Sequence, residues 1–167
     1  MVSKKKMILL FIATLGIYQI YWFYRNWQLY KQATGEKIWP LPRAIFAVFF
    51  VHALFREANH LRDRGPVQLP AWNHGQQATL LVLLLIVSNV IDRLSGKSIG
   101  SPITDYLSLL FLFPVIACLA SAQEKINEAC GDALGESNSK FKASNYFWMA
   151  LGVLMWALIG FGLFAPE

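Results

Sequence analysis

Four long stretches of this chain carry no charge, and they decide what it can fold into. Eighteen residues separate Lys6 from Arg25, 18 separate Asp105 from Glu124, 24 separate Lys142 from Glu167, and 17 lie between His74 and Asp92. A helix crossing the hydrocarbon of a bilayer needs about 20 mainly apolar residues, with about 17 as the working minimum. The runs therefore predict an all-α integral membrane protein. Only 15% of the 167 residues are charged, against about 25% in a soluble domain. A chain this short with several spans leaves room for one membrane-embedded domain, 1–167. Its net charge of +5 is too small and too dispersed for a nucleic-acid partner, and suits loops lying on anionic lipid.

Segment 1 runs from Met7 to Tyr24 and is aromatic in its second half, with Tyr18, Tyr21, Trp22, Phe23 and Tyr24. Tyr and Trp collect at headgroup level, where a ring and a polar edge are both accommodated. Lys4, Lys5 and Lys6 before an apolar stretch imitate a signal peptide. No small-x-small site follows, so the segment is expected to be retained. Pro40 and Pro42 mark the entry to segment 2, Ala44 to Phe55, whose 12 residues between Arg43 and Arg56 cover only about 18 Å. Its helix is expected to run on through Leu61 into water and to stop at Gly65-Pro66. Segments 3 (Gln77–Ile91), 4 (Tyr106–Ala122, containing Pro114) and 5 (Tyr146–Phe164) are the remaining spans. Cys118 falls in segment 4 and Cys130 in a loop, and both are expected to be reduced thiols.

Basic residues set the topology. If all five segments span with the N-terminus inside, nine Lys and Arg lie inside and six outside. If segments 1 and 2 are re-entrant or interfacial helices, Arg25, Lys31, Lys37 and Arg43 move inside, and the count becomes thirteen against two. The positive-inside rule favours the second arrangement over five full spans. Either one puts the N-terminus in the cytoplasm and the C-terminus outside.

The stretch Gly16-Ile17-Tyr18-Gln19-Ile20-Tyr21-Trp22 resembles the G-I-Y-x-x-Y-W signature of a family of small uncharacterised bacterial membrane proteins, a domain of unknown function. The likeness covers Met7 to Lys31. It implies a bacterial inner-membrane location and no catalytic residues.

Three groups of residues are candidate sites. Arg56, His60 and Arg64 recur at i, i+4 and i+8 where segment 2 leaves the membrane, with Arg62 beside them, and together they suit anionic lipid headgroups. His52 among phenylalanines, with Asn89 and Asp92 near the far end of segment 3, is the candidate polar pathway, since ionisable groups inside a membrane are often functional. Gly152, Trp156 and Gly160 share one face of segment 5 and are expected to pack against another helix.

Other patterns carry less. Gly96-Lys97-Ser98-Ile99-Gly100 matches the G-x-S-x-G of hydrolases, but no strand precedes it. Glu57-x-x-His60 is a single copy of a motif that di-metal sites use in pairs. The loop Asp132–Asn138 lacks the alternation of a calcium loop. No metal or cofactor is expected. The expected function is non-catalytic: an oligomer, or an accessory subunit of a membrane complex. A small oligomeric channel or transporter and a lipid-acting enzyme are the alternatives.

Overall fold

The computed structural model describes residues 1–65 and 67–164, so the end of the last uncharged run, 165–167, lies outside the described residues. Among those described there are seven α-helices and no strand: α1 (Lys4–Ala13), α2 (Tyr18–Thr34), α3 (Pro40–Ile45), α4 (Ala47–Asp63), α5 (His74–Ser95), α6 (Ile103–Ala129) and α7 (Ala143–Phe164). Three of them, α5, α6 and α7, are long and apolar enough to cross a membrane, and they are segments 3, 4 and 5. Each is longer than the apolar pattern alone indicates. α6 gains two turns beyond Ala122 because Gln123, Glu124 and Lys125 are good helix formers. Lys125 also pairs with Glu128 at 3.0 Å, one turn on, and Gly131 is the first breaker. Pro114 lies inside α6 without ending it.

Segment 1 is not one helix. It breaks after Ala13 and restarts at Tyr18, and Leu15 and Gly16 take left-handed conformations with φ of 50° and 83°. The chain reverses there. At its start, the Val2 carbonyl accepts a hydrogen bond from Asn127 near the end of α6. At the reversal, Gly16 lies against the Leu112 side chain. On the way back, Trp22 donates to Gln123 of α6, and Arg25 shares a surface depression with Met1 and Asn138. α1 thus runs antiparallel to α6 for about 20 Å, and α2 retraces the path. Leu112 sits near the middle of the uncharged run 106–123, so the tip of the hairpin lies level with the middle of α6. This overturns segment 1 as a continuous helix and leaves three helices of span length among the described residues.

Segment 2 is also divided. α3 stops at Ile45 and α4 restarts at Ala47, with Phe46 between them outside helical geometry. α4 then runs to Asp63, past the expected Leu61. It packs on α2, α5 and α6, with Val51, Leu54 and Phe55 buried against a core that holds Trp22, Trp27, Leu81 and Leu119. α7 is the outlier. It packs on α1 alone among the described helices.

Basic groups gather where α5 begins and α6 ends. Lys4 pairs with Glu124 at 2.8 Å. Lys6 donates to the Asn138 side chain and to the Lys140 carbonyl, both at 2.7 Å. Arg62 pairs with Glu128 at 2.9 Å. The turn between α5 and α6, with Lys97, lies at the other end. In a background with Cys118 and Cys130 replaced by Ala, single cysteines from Ser3→Cys and Gln32→Cys should label with an impermeant thiol reagent from one and the same side of the membrane. Lys97→Cys should label only from the opposite side. Labelling of Ser3→Cys and Gln32→Cys from different sides would mean that α1 and α2 together cross the bilayer.

Candidate functional site

The exposed face of α4 is the first candidate. Its helical period places Arg56, His60 and Arg64 on one side, and all three are exposed. Arg56 donates through Nε and Nη2 to Glu57 Oε1, at 3.1 and 2.9 Å. Glu57 in turn lies 3.3 Å from the Tyr30 hydroxyl, which donates at 2.7 Å to Glu36. Burial, then the bond to Glu36, hold the Tyr30 phenol well above its ordinary range, so it stays a proton donor between two carboxylates. The face is therefore mixed in charge, with Arg64 at its outer end.

Arg62 is not part of this face. Its side chain is 1% exposed. The guanidinium turns inward, where Nε donates to Glu128 at 2.9 Å and Nη2 to the Pro70 carbonyl at 2.6 Å. Helical spacing explains the difference, because position 62 lies some 200° from position 60 at about 100° per residue. Arg62 joins α4 to α6 and to the segment leading into α5, and cannot meet a headgroup from there.

The pathway candidates do not converge within the chain. The His52 ring lies 3.1 Å from the Thr79 hydroxyl, bridging α4 to α5. Asn89, about 15 Å further along α5, donates back to the Leu85 carbonyl at 2.8 Å. Asp92 accepts from Ser108 across the α5–α6 pair. Each has a local partner at a different height.

On segment 5, Gly152 and Trp156 meet α1. A Cβ added to Gly152 would fall 1.7 Å from the Ala13 carbonyl oxygen, so only glycine allows this approach. The Trp156 indole donates to the Ile12 carbonyl at 2.9 Å. Gly160 has nothing within 4 Å of where its Cβ would be. Gly96 to Gly100 form a turn between α5 and α6, not a strand-to-helix elbow. Among the described residues no group of three His, Cys, Asp or Glu could hold one metal ion. Both cysteines are free thiols.

Two features had no simple sequence signal. One is a buried polar relay: Trp22 to Gln123, Gln123 to Asn127 at 2.7 Å, and Asn127 to the Val2 carbonyl at 3.0 Å. The other is Arg43, whose guanidinium stacks 4.3 Å from the Trp27 ring centre and 5.4 Å from that of Phe50. Both join residues far apart in sequence, which helical periodicity cannot pair.

Compared with known proteins, the chain matches no family model, no curated protein and no solved structure. The buried and exposed arginines provide a direct comparison. Arg62→Ala removes one of the two basic partners of Glu128, leaving Lys125, and a charged hydrogen bond to the Pro70 carbonyl; it should lower stability in detergent by about 2 kcal/mol. Arg56→Ala removes an exposed pair and should change it by less than about 1 kcal/mol. Chemical denaturation followed by tryptophan fluorescence measures both, and equal losses would contradict the inward orientation of Arg62.

Proposed function

We propose that this protein is a non-catalytic subunit of the bacterial inner membrane, which associates through α7 with a second copy or with another membrane protein. The observation that carries this reading is the isolation of α7. Only 6% of a span-length window of α7 is buried within the chain, against 17% for α5 and 28% for α6. Lipid covers apolar side chains as readily as protein does, so exposure alone would not favour a partner. Gly160 adds the second element: a small residue on an open helix face, where another helix can approach closely. The interior polar groups support a non-catalytic role, since Gln123, Asn127 and Arg62 are engaged in holding helices together.

In this reading the end of the bundle that carries Lys4, Lys6 and Arg62 faces the cytoplasm, as the positive-inside rule requires. The N-terminus is then cytoplasmic, and α7 ends outside. Arg56, His60 and Arg64 lie at the inner leaflet and meet anionic headgroups.

Light scattering of the detergent-extracted protein tests the association. The particle should hold more than one chain. Gly160→Leu should reduce it towards a single chain without lowering the melting temperature, because that side chain meets nothing within its own fold. A wild-type monomer that Gly160→Leu leaves unchanged would remove the proposal. The headgroup contact has its own test. Arg56→Ala with Arg64→Ala should weaken binding of anionic lipid by about 1 kcal/mol per residue. The loss should be greater at low salt, since exposed charges are screened as salt rises. Full retention of anionic lipid by the double variant would restrict these residues to fixing topology.

A further inference from the structure

Between the α1–α2 hairpin and the first turns of α7 lies a groove of about 410 Å³ that no protein group fills. Its volume falls in the range of sites that hold small organic ligands, about 300–1,000 Å³. Leu10 of α1 and Thr14, which follows it in the turn, form its floor. One wall is α2, which presents Tyr18, Tyr21 and Tyr24 at three-residue spacing. Ser144, Asn145 and Trp148 of α7 form the facing wall, and Leu41 closes one end.

The wall chemistry is amphipathic, and it is graded. Leu10, Ile17 and Ile20 give the groove an apolar body. Among the described residues, none of the three tyrosine hydroxyls has a protein partner, although all three side chains line the groove. Asn145 uses its Oδ1 to accept the Lys142 backbone N–H at 2.9 Å, which leaves its amide protons free to donate. Lys142 does not line the groove but adjoins it through that bond to Asn145; it is exposed, and no carboxylate pairs with it among the described residues. Lys6 lies close enough for the Lys142 charge to act on it. The rim is therefore cationic and rich in donors, at the first turn of a 22-residue helix whose N-terminal dipole also favours an anion. The body is apolar and runs towards the middle of the bilayer.

We infer that this groove is a binding site for one anionic glycerophospholipid. One acyl chain lies along Leu10, Ile17 and Ile20, and the phosphate and ester oxygens accept from Tyr24, Ser144, Asn145 and Lys142. The charge fixes the class of occupant: the donors and the lysine suit an acceptor-rich anion, and the apolar floor requires that it carry a chain. A second protein helix would leave those donors unpaired unless it brought acceptors of its own. The site is separate from the α4 face and does not depend on it.

The test uses the full chain in detergent, exchanged free of lipid and titrated with phosphatidylglycerol or phosphatidylcholine, with bound lipid counted by native mass spectrometry. One phosphatidylglycerol should be retained per chain, with phosphatidylcholine about tenfold weaker. Leu41→Trp and Ser144→Trp place a large ring in the groove from two exposed positions. Each should cut phosphatidylglycerol retention about tenfold at an unchanged melting temperature. Lys142→Gln should narrow the preference between the two lipids. Arg56→Ala with Arg64→Ala should leave this lipid in place, which separates the groove from the headgroup face. The proposal is overturned if the wild type retains neither lipid, or if both groove-filling variants retain phosphatidylglycerol as the wild type does. It is equally overturned if those variants convert a wild-type dimer to monomers without loss of lipid, since a second copy would then be the occupant.

Discussion

A polypeptide that reverses inside a bilayer must pair its own backbone, because no water is present to do so and each unpaired group costs several kcal/mol. The turn between α1 and α2 meets this demand with unusual economy. The Thr14 hydroxyl donates to the Leu10 carbonyl and accepts the Tyr18 N–H, so one side chain closes the end of one helix and caps the next. The backbone N–H of Gly16 reaches back to the Phe11 carbonyl at 2.9 Å. The Ile12 carbonyl accepts the Leu15 N–H within the turn and also receives the Trp156 indole from α7. α7 is held on α1 by this bond and by the glycine contact beside it, so its attachment depends on the turn being made.

The same constraint explains how α2, the returning helix of the hairpin, is fixed. Trp22 has to dispose of an indole N–H beneath the surface, and it does so on Gln123. That residue would be costly alone in an apolar layer. It is relieved by donating to Asn127, which then holds the Val2 carbonyl. Three elements of the chain are thereby joined through groups that are each 1–2% exposed in the case of Trp22, Gln123 and Asn127. In a low-dielectric interior such a relay holds position firmly only while every member is satisfied.

Much of this was legible in the sequence, and the limits have physical reasons. The three spans follow from length and the absence of charge, quantities that one window can measure. Counting Lys and Arg favoured N-terminal segments that turn back, because Arg25, Lys31, Lys37 and Arg43 are too many to leave on the far side, and α1 and α2 do form a hairpin. The position of the reversal did not follow. Leu15 is an ordinary helix former, and its left-handed geometry has no local signal; the neighbouring Gly16 lies against Leu112, almost a hundred residues away. Arg62 was misread for a related reason. Its charge marked it as a surface residue, while its angular position on α4 aims it at Glu128, more than sixty residues away in sequence. Gly152 and Trp156 could be seen to share a face, but the face they meet, the end of α1, could not. The groove was invisible because its walls come from four separate helices.

The residues at and just before the start of α1 are held by residues more than a hundred positions further along the chain. Val2 is bonded to Asn127, Lys6 to Asn138 and Lys140, and the Met1 carbonyl to Asn138. The Val2 backbone also rests on Gly135, where a Cβ would stand 2.5 Å from its carbonyl oxygen. During synthesis α2 can pack early on α3 and α4, but α1 has no partner beyond α2 until α6 and the following loop have been translated. At about 5–20 residues per second, that is a delay of roughly ten seconds. Over this interval α1 lacks the contacts that hold it in the finished fold. The last step in fixing α1 is therefore the closing of a loop of more than a hundred residues, whose entropic cost grows only slowly with its length.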